Sequence, residues 1–104
     1  MALSPMRAIH PGEILQEEFL ELLGMSVNAL ARTLRIPPSR LHEIVHGRRS
    51  ISPDTALRLA RYFGTTAEFW MNLQVQYDLR REQAAHGDAI ERDIPETFND
   101  ATYP

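Results

Sequence analysis

The chain has no cysteine. Without thiols there is no disulfide framework and no thiolate metal site, so redox chemistry leaves the compartment open and a cytoplasmic protein fits. It has no lysine either, so all eleven basic residues are arginine. Arginine grips phosphate or guanine through two parallel hydrogen bonds, which lysine does not do. No apolar run reaches the roughly 18–20 residues of a membrane span, and no signal-peptide pattern is present. A glycine-rich phosphate loop, a cysteine nucleophile and a local Ser-His-Asp context are all missing, which removes the commonest signatures of catalysis. No segment has strand character long enough for a sheet, and no internal repeat occurs. At 104 residues the chain suits a single all-α domain with a real core.

The net charge of −3 hides a strong asymmetry. Residues 32–61 carry seven arginines (32, 35, 40, 48, 49, 58 and 61) against Glu43 and Asp54, whereas the segments on either side are acidic. A basic face on an acidic body suits a polyanion on one side and a different partner elsewhere.

The basic segment contains the most organised stretch. Ser26 is placed to cap a helix, and Leu30, Ala31 and Leu34 give that helix one apolar face. Ile36-Pro37-Pro38 must interrupt it, because proline removes an amide and turns the residue before it away from the α region. Pro38 also suits the first position of a new helix. Leu41, Ile44 and Val45 form the second helix's apolar stripe, and Gly47 suits a left-handed stop. Two short helices joined by a tight turn, with Ser39, Arg40, His42 and Glu43 facing out, make a helix-turn-helix.

Around it the periodicity predicts three more helices. The first opens at His10-Pro11-Gly12, buries Leu15, Phe19, Leu22 and Leu23, and ends at Gly24. His10 acts there as a cap or surface group rather than as a ligand. Ile51 is tucked into the core. The fourth helix starts at Ser52-Pro53-Asp54, a cap, a first-turn proline and an acid at the positive end. Its inward residues are Ala56, Leu57, Ala60 and Phe63, and an Asp54–Arg58 pair forms on its surface. The fifth, about residues 66–85, carries two stripes. Phe69, Trp70, Leu73 and Tyr77 cover the core; Met71, Val75 and Leu79 lie nearly opposite and are expected between chains, against a second copy or a partner. Gly87 closes this helix. The expected organisation is thus a compact five-helix domain over residues 1–87 and a mobile acidic tail over 88–104.

His42-Glu43-Ile44-Val45-His46 matches H-E-x-x-H, whose two histidines and acid form the centre of zinc proteases. No third ligand follows at a usual spacing, and Gly47 ends the helix at once. Ile44 and Val45 are already needed for the core. We therefore expect no metal, no cofactor and no catalysis here, a metal-dependent hydrolase being the remote alternative.

The motif with its flanks resembles the xenobiotic-response-element/Cro family of five-helix DNA-binding domains. His-Pro-Gly-Glu-Ile-Leu (10–15), Leu-Ala-Arg-Thr-Leu (30–34), Ile-Val-His-Gly-Arg-Arg-Ser-Ile (44–51), Asp-Thr-Ala-Leu-Arg-Leu-Ala-Arg-Tyr-Phe-Gly-Thr (54–65) and Glu-Phe-Trp-Met-Asn-Leu-Gln-Val-Gln-Tyr-Asp-Leu (68–79) are similar to the HigA/VapI-type antitoxins of toxin–antitoxin modules. That resemblance implies a homodimer bound to a palindromic operator in its own promoter. It also implies a partner toxin, commonly an mRNA endonuclease, that the protein neutralises. Base readout is implied at Pro38, Ser39, Arg40, His42 and Glu43. The phosphate contacts expected are Asn28, Arg32, Arg48 and Arg49. The family often has Gln at the start of the second helix, where this chain has Val27 and Asn28. A stand-alone repressor without a toxin is the alternative.

Overall fold

The computed structural model describes residues 7–98. The end of the expected tail, residues 99–104, lies outside it. Five helices follow one another without a strand among the described residues.

Helix α1 comprises an α-turn over Pro11–Ile14, a π-helical stretch over Leu15–Leu20 and a last turn over Glu21–Leu23. Gly24 ends it in the left-handed region at φ 62°. The π stretch changes which residues are buried. A regular helix beginning at Leu15 would turn Leu22 and Leu23 inward. The wider turn brings Leu20, five residues on, into line with Leu15, and both are fully buried. Leu22, 81 % exposed, and Leu23 face out instead, which corrects the expectation for them.

Helix α2 spans Val27–Leu34, capped by the Ser26 hydroxyl, which accepts from the Ala29 amide at 3.0 Å. It ends at Arg35, the one non-glycine among the described residues with positive φ (59°). The Ile36 amide donates back to Ala31, and Ile36 is buried. Helix α3 spans Pro38–Val45 with Pro at its first position, burying Leu41 and Ile44. Gly47 at φ 75° turns the chain away. Helix α4, Pro53–Phe63, is capped by Ser52 and stops at Gly64. Its buried residues are Thr55, Ala56 and Leu59. Leu57, expected inside, is 63 % exposed: one residue beyond Ala56, it lies about 100° round the helix from it. Ile51, in the preceding loop, is buried as expected.

Helix α5 runs from Ala67 to Asp93, capped by Thr66. Trp70 is fully buried, with Phe19, Phe63 and Phe69 around its ring, and its indole N–H donates to Thr65 Oγ1 at 2.8 Å. Gly87 does not end this helix. Glycine inside a helix costs only about 1 kcal/mol relative to alanine, and Gly87 does not take a positive φ. The stop comes at Ile94, which is extended and stands before Pro95. Residues 88–93 of the expected tail are therefore helical. No residue of α5 beyond Gln74 is buried, and the helix projects from the bundle, lengthening the molecule to 51 Å against 24 Å in the other directions.

Candidate nucleic-acid interface

One close approach positions α3. At Gly12 the backbone of α1 meets the end of α3: a β-carbon there would sit 1.9 Å from the Ile44 carbonyl oxygen. Beside it, buried His10 accepts the Gly12 amide on Nδ1 at 2.8 Å, and its ring stands edge-on to Tyr77 at 4.8 Å. The Arg49 backbone, in the loop that carries the two basic residues after α3, lies close to the same ring.

Burial holds the His10 pKa below its ordinary 6.5, against the opposing effects of the Arg49 backbone and the Asp78 carboxylate; Arg81 adds to the depression. The folded chain therefore keeps this ring neutral where the unfolded chain would protonate it. Its contribution to stability is present above pH 6.5 and declines as pH falls from there toward the folded-state value. His10→Asn retains a cap acceptor without a titrating ring. We expect its unfolding midpoint, followed by circular dichroism across that pH range, to fall less steeply with acid than that of the parent.

Of the expected base-reading residues, Pro38 and Ser39 are exposed, while Arg40, His42 and Glu43 are half-buried. Three contacts organise them. His42 Nε2 donates to Asn28 Oδ1 at 2.9 Å, tying α3 to the first turn of α2. Asn28, expected at a phosphate, thus also orients a ring on the reading face. Glu43 accepts from Arg49 Nε at 2.7 Å, so the acid on this face is matched by one of the expected phosphate ligands. In solvent such a pair contributes only about 0–1 kcal/mol, so a phosphate can compete for the arginine. Arg40 points back toward α4, its Nη2 3.7 Å from Asp54 Oδ2. Arg32 and Arg48 are exposed.

The two histidines of the H-E-x-x-H match are stacked 6.2 Å apart. His46 Nδ1 donates to the His42 carbonyl at 2.8 Å, and His42 Nε2 is engaged with Asn28. No cluster of three His, Cys, Asp or Glu able to hold a metal occurs among the described residues.

Sequence periodicity misses Gln74. This polar residue is buried on α5; its Oε1 accepts the Ile51 amide at 2.8 Å, and its Nε2 donates to Asp78 and Ser50. It fastens the loop after Arg49 to the long helix. The expected face of α5 divides. Met71 packs against the core, whereas Val75 and Leu79 are 47 % and 50 % exposed. At 100° per residue these two share one side of the helix with exposed Ile90.

The profile of the helix-turn-helix family matches residues 17–70. Virulence-associated protein I of Dichelobacter nodosus is 57 % identical over 75 residues, covering 72 % of this chain and 69 % of that protein. Among solved structures, an addiction module antidote protein of the HigA family from Coxiella burnetii superposes with a TM-score of 0.84 at 53 % identity, over 88 % of this chain and 99 % of that one. Pseudomonas aeruginosa antitoxin HigA, solved with the higBA promoter, gives a TM-score of 0.86 at 49 % identity over 88 % of this chain and all of that one.

Proposed function

Starting from the fact that the chain belongs to the helix-turn-helix family, among its HigA-type antitoxins, we propose that it binds an operator in its own promoter, represses that operon and neutralises a partner toxin. The observation that carries this reading is the combination of an outward-facing α3 flanked by Arg32, Arg48 and Arg49 with the likeness to an antitoxin solved on promoter DNA. This is a DNA-binding regulator and not an enzyme.

In this reading α3 enters the major groove. Ser39, Arg40 and His42 meet base edges; Arg32, Arg48 and Arg49 hold phosphates and fix the register. Asn28 bonds His42 through its oxygen, which leaves its amide hydrogens to a phosphate. Two copies pair through Val75 and Leu79 and place their recognition helices about 34 Å apart on a palindrome. No helix among the described residues is long and apolar enough to cross a membrane, and we place the protein in the cytoplasm with its DNA.

The test is a gel-shift series on the promoter fragment across salt concentrations. Arg40→Ala is expected to weaken operator binding by about 1–3 kcal/mol and to relax preference at one base per half-site. Arg49→Ala should weaken all duplexes alike and reduce the salt slope by about one. Unchanged operator binding by Arg40→Ala would reject the base-reading assignment. Co-expression with the adjacent gene tests the toxin: rescue of growth supports neutralisation. Operator binding without rescue would leave a stand-alone repressor.

A further inference from the structure

The contact between Arg40 and the start of α4 has a role that the motif itself does not suggest. Asp54 Oδ2 is shared: Arg58 Nε donates to it at 3.0 Å, and Arg40 Nη2 approaches it at 3.7 Å. Arg58 in turn donates from Nη1 to the Leu34 carbonyl at 2.8 Å, at the end of α2. One carboxylate therefore joins the first turn of α3 to the first turn of α4, and through Arg58 to the end of α2. Arg40 is only 31 % exposed along its side chain. Its Nε is buried and has no hydrogen-bond partner, and its Nη1 makes no hydrogen bond among the described residues.

A guanidinium presents two two-donor edges, one of Nε with a terminal nitrogen and one of the two terminal nitrogens. Here the edge carrying Nε and Nη2 is turned toward the protein and Asp54. The remaining Nη1–Nη2 edge has the geometry that a guanine O6/N7 pair accepts. We propose that Asp54 is a positioning residue for operator recognition. It holds the inner edge of Arg40 so that the outer edge meets a base in one orientation, although Asp54 itself touches no DNA. The unsatisfied Nε fits this role. A buried donor without an acceptor is unfavourable, and a small rotation of the neighbouring carboxylate as the duplex docks would give it one. The inference rests on Arg40 being a base reader.

The expected signature separates positioning from simple electrostatics. An acid near a duplex repels phosphate, so its removal should on that ground alone tighten binding to every sequence. If Asp54 positions Arg40, Asp54→Asn instead weakens operator binding by about tenfold while binding to random duplex stays unchanged or tightens slightly. The specificity ratio therefore falls. Asp54→Glu, which keeps the carboxylate, should restore most of that ratio. In the double variant Arg40→Ala/Asp54→Asn the second change should add nothing to the first, because both remove one interaction.

These quantities can be read by fluorescence anisotropy with operator and scrambled duplexes at several salt concentrations, with thermal melts alongside. A role of Asp54 confined to the start of α4 would lower the melting temperature, leave the specificity ratio unmoved and be additive with Arg40→Ala. That result overturns the proposal, as would tighter operator binding by Asp54→Asn, the outcome if Asp54 merely sequesters Arg40. Arg40→Ala alone tests the prior reading: if it leaves operator binding intact, the base-reader assignment fails, whereas a loss there with no effect of Asp54→Asn rejects only the positioning role.

Discussion

Gly12→Ala is expected to destabilise the protein by about 3 kcal/mol or more, which for a domain of this size lowers the unfolding midpoint by roughly 15 °C. The added methyl would fall 1.9 Å from the Ile44 carbonyl oxygen, 2.7 Å from its carbon and 2.9 Å from the Val45 α-carbon. All three are backbone atoms of α3, so no side-chain rotation relieves the overlap. The two helices must separate, which opens the core that Leu15, Leu20, Leu41 and Ile44 share, all of them fully buried. Gly24→Ala is the control. At φ 62° it meets nothing within 4 Å and carries only backbone strain of about 1–2 kcal/mol. Thermal melts of the two variants should differ accordingly, and near-equal midpoints would show that the α1–α3 approach is looser than described. Because Gly12 abuts the end of the recognition helix, operator binding by Gly12→Ala should disappear below the temperature at which its helicity does.

The largest functional effect is expected from the exposed side of α5. If two copies pair through this side as proposed, Val75→Asp with Leu79→Asp should leave a monomer and weaken binding to the full palindrome by at least about a hundredfold. The loss follows because the second half-site is then no longer bound at high effective concentration. Both residues are half-exposed in the single chain, so folding and helicity should be unaffected, while an unpaired carboxylate in an apolar interface is strongly unfavourable. Sedimentation equilibrium and anisotropy on one and two half-sites check this. A dimer that survives the double change would place the dyad on another surface. Met71→Asp is less informative than its position in the sequence suggests, because Met71 packs on the core and its replacement would disturb folding as well as association.

Much of the architecture was legible in short-range chemistry. Ser26 and Ser52 cap the helices they precede, and Gly24 and Gly47 stop the helices before them in the left-handed region. These signals are local and need no tertiary information. The failures have separate causes. The π stretch in α1 has no periodic signature, so an assumed 3.6-residue repeat put Leu22 and Leu23 inside and missed Leu20. Hydrophobicity alone puts Leu57 inside, although Leu59 and Thr55 occupy the buried face. Glycine chemistry points to a stop at Gly87, but the stop comes at Ile94, before Pro95. Gln74 could not be found from pattern, because a polar residue is inward-facing only when particular partners await it, here the Ile51 amide and Asp78. At the interface, arginine clustering and the outward residues of α3 were readable. That Glu43 engages Arg49, that Asn28 engages His42 and that Arg40 leans on Asp54 were not, since each depends on side-chain directions across separate elements.

Gln74 stands next to Val75 in the chain. The side chain that clasps the loop behind Arg48 and Arg49 is thus carried on the same helical turn as a residue of the proposed pairing face. If two copies pair there as proposed, the protein acts as a caliper with fixed jaws, since no flexible linker between groove and axis would absorb an inserted base pair.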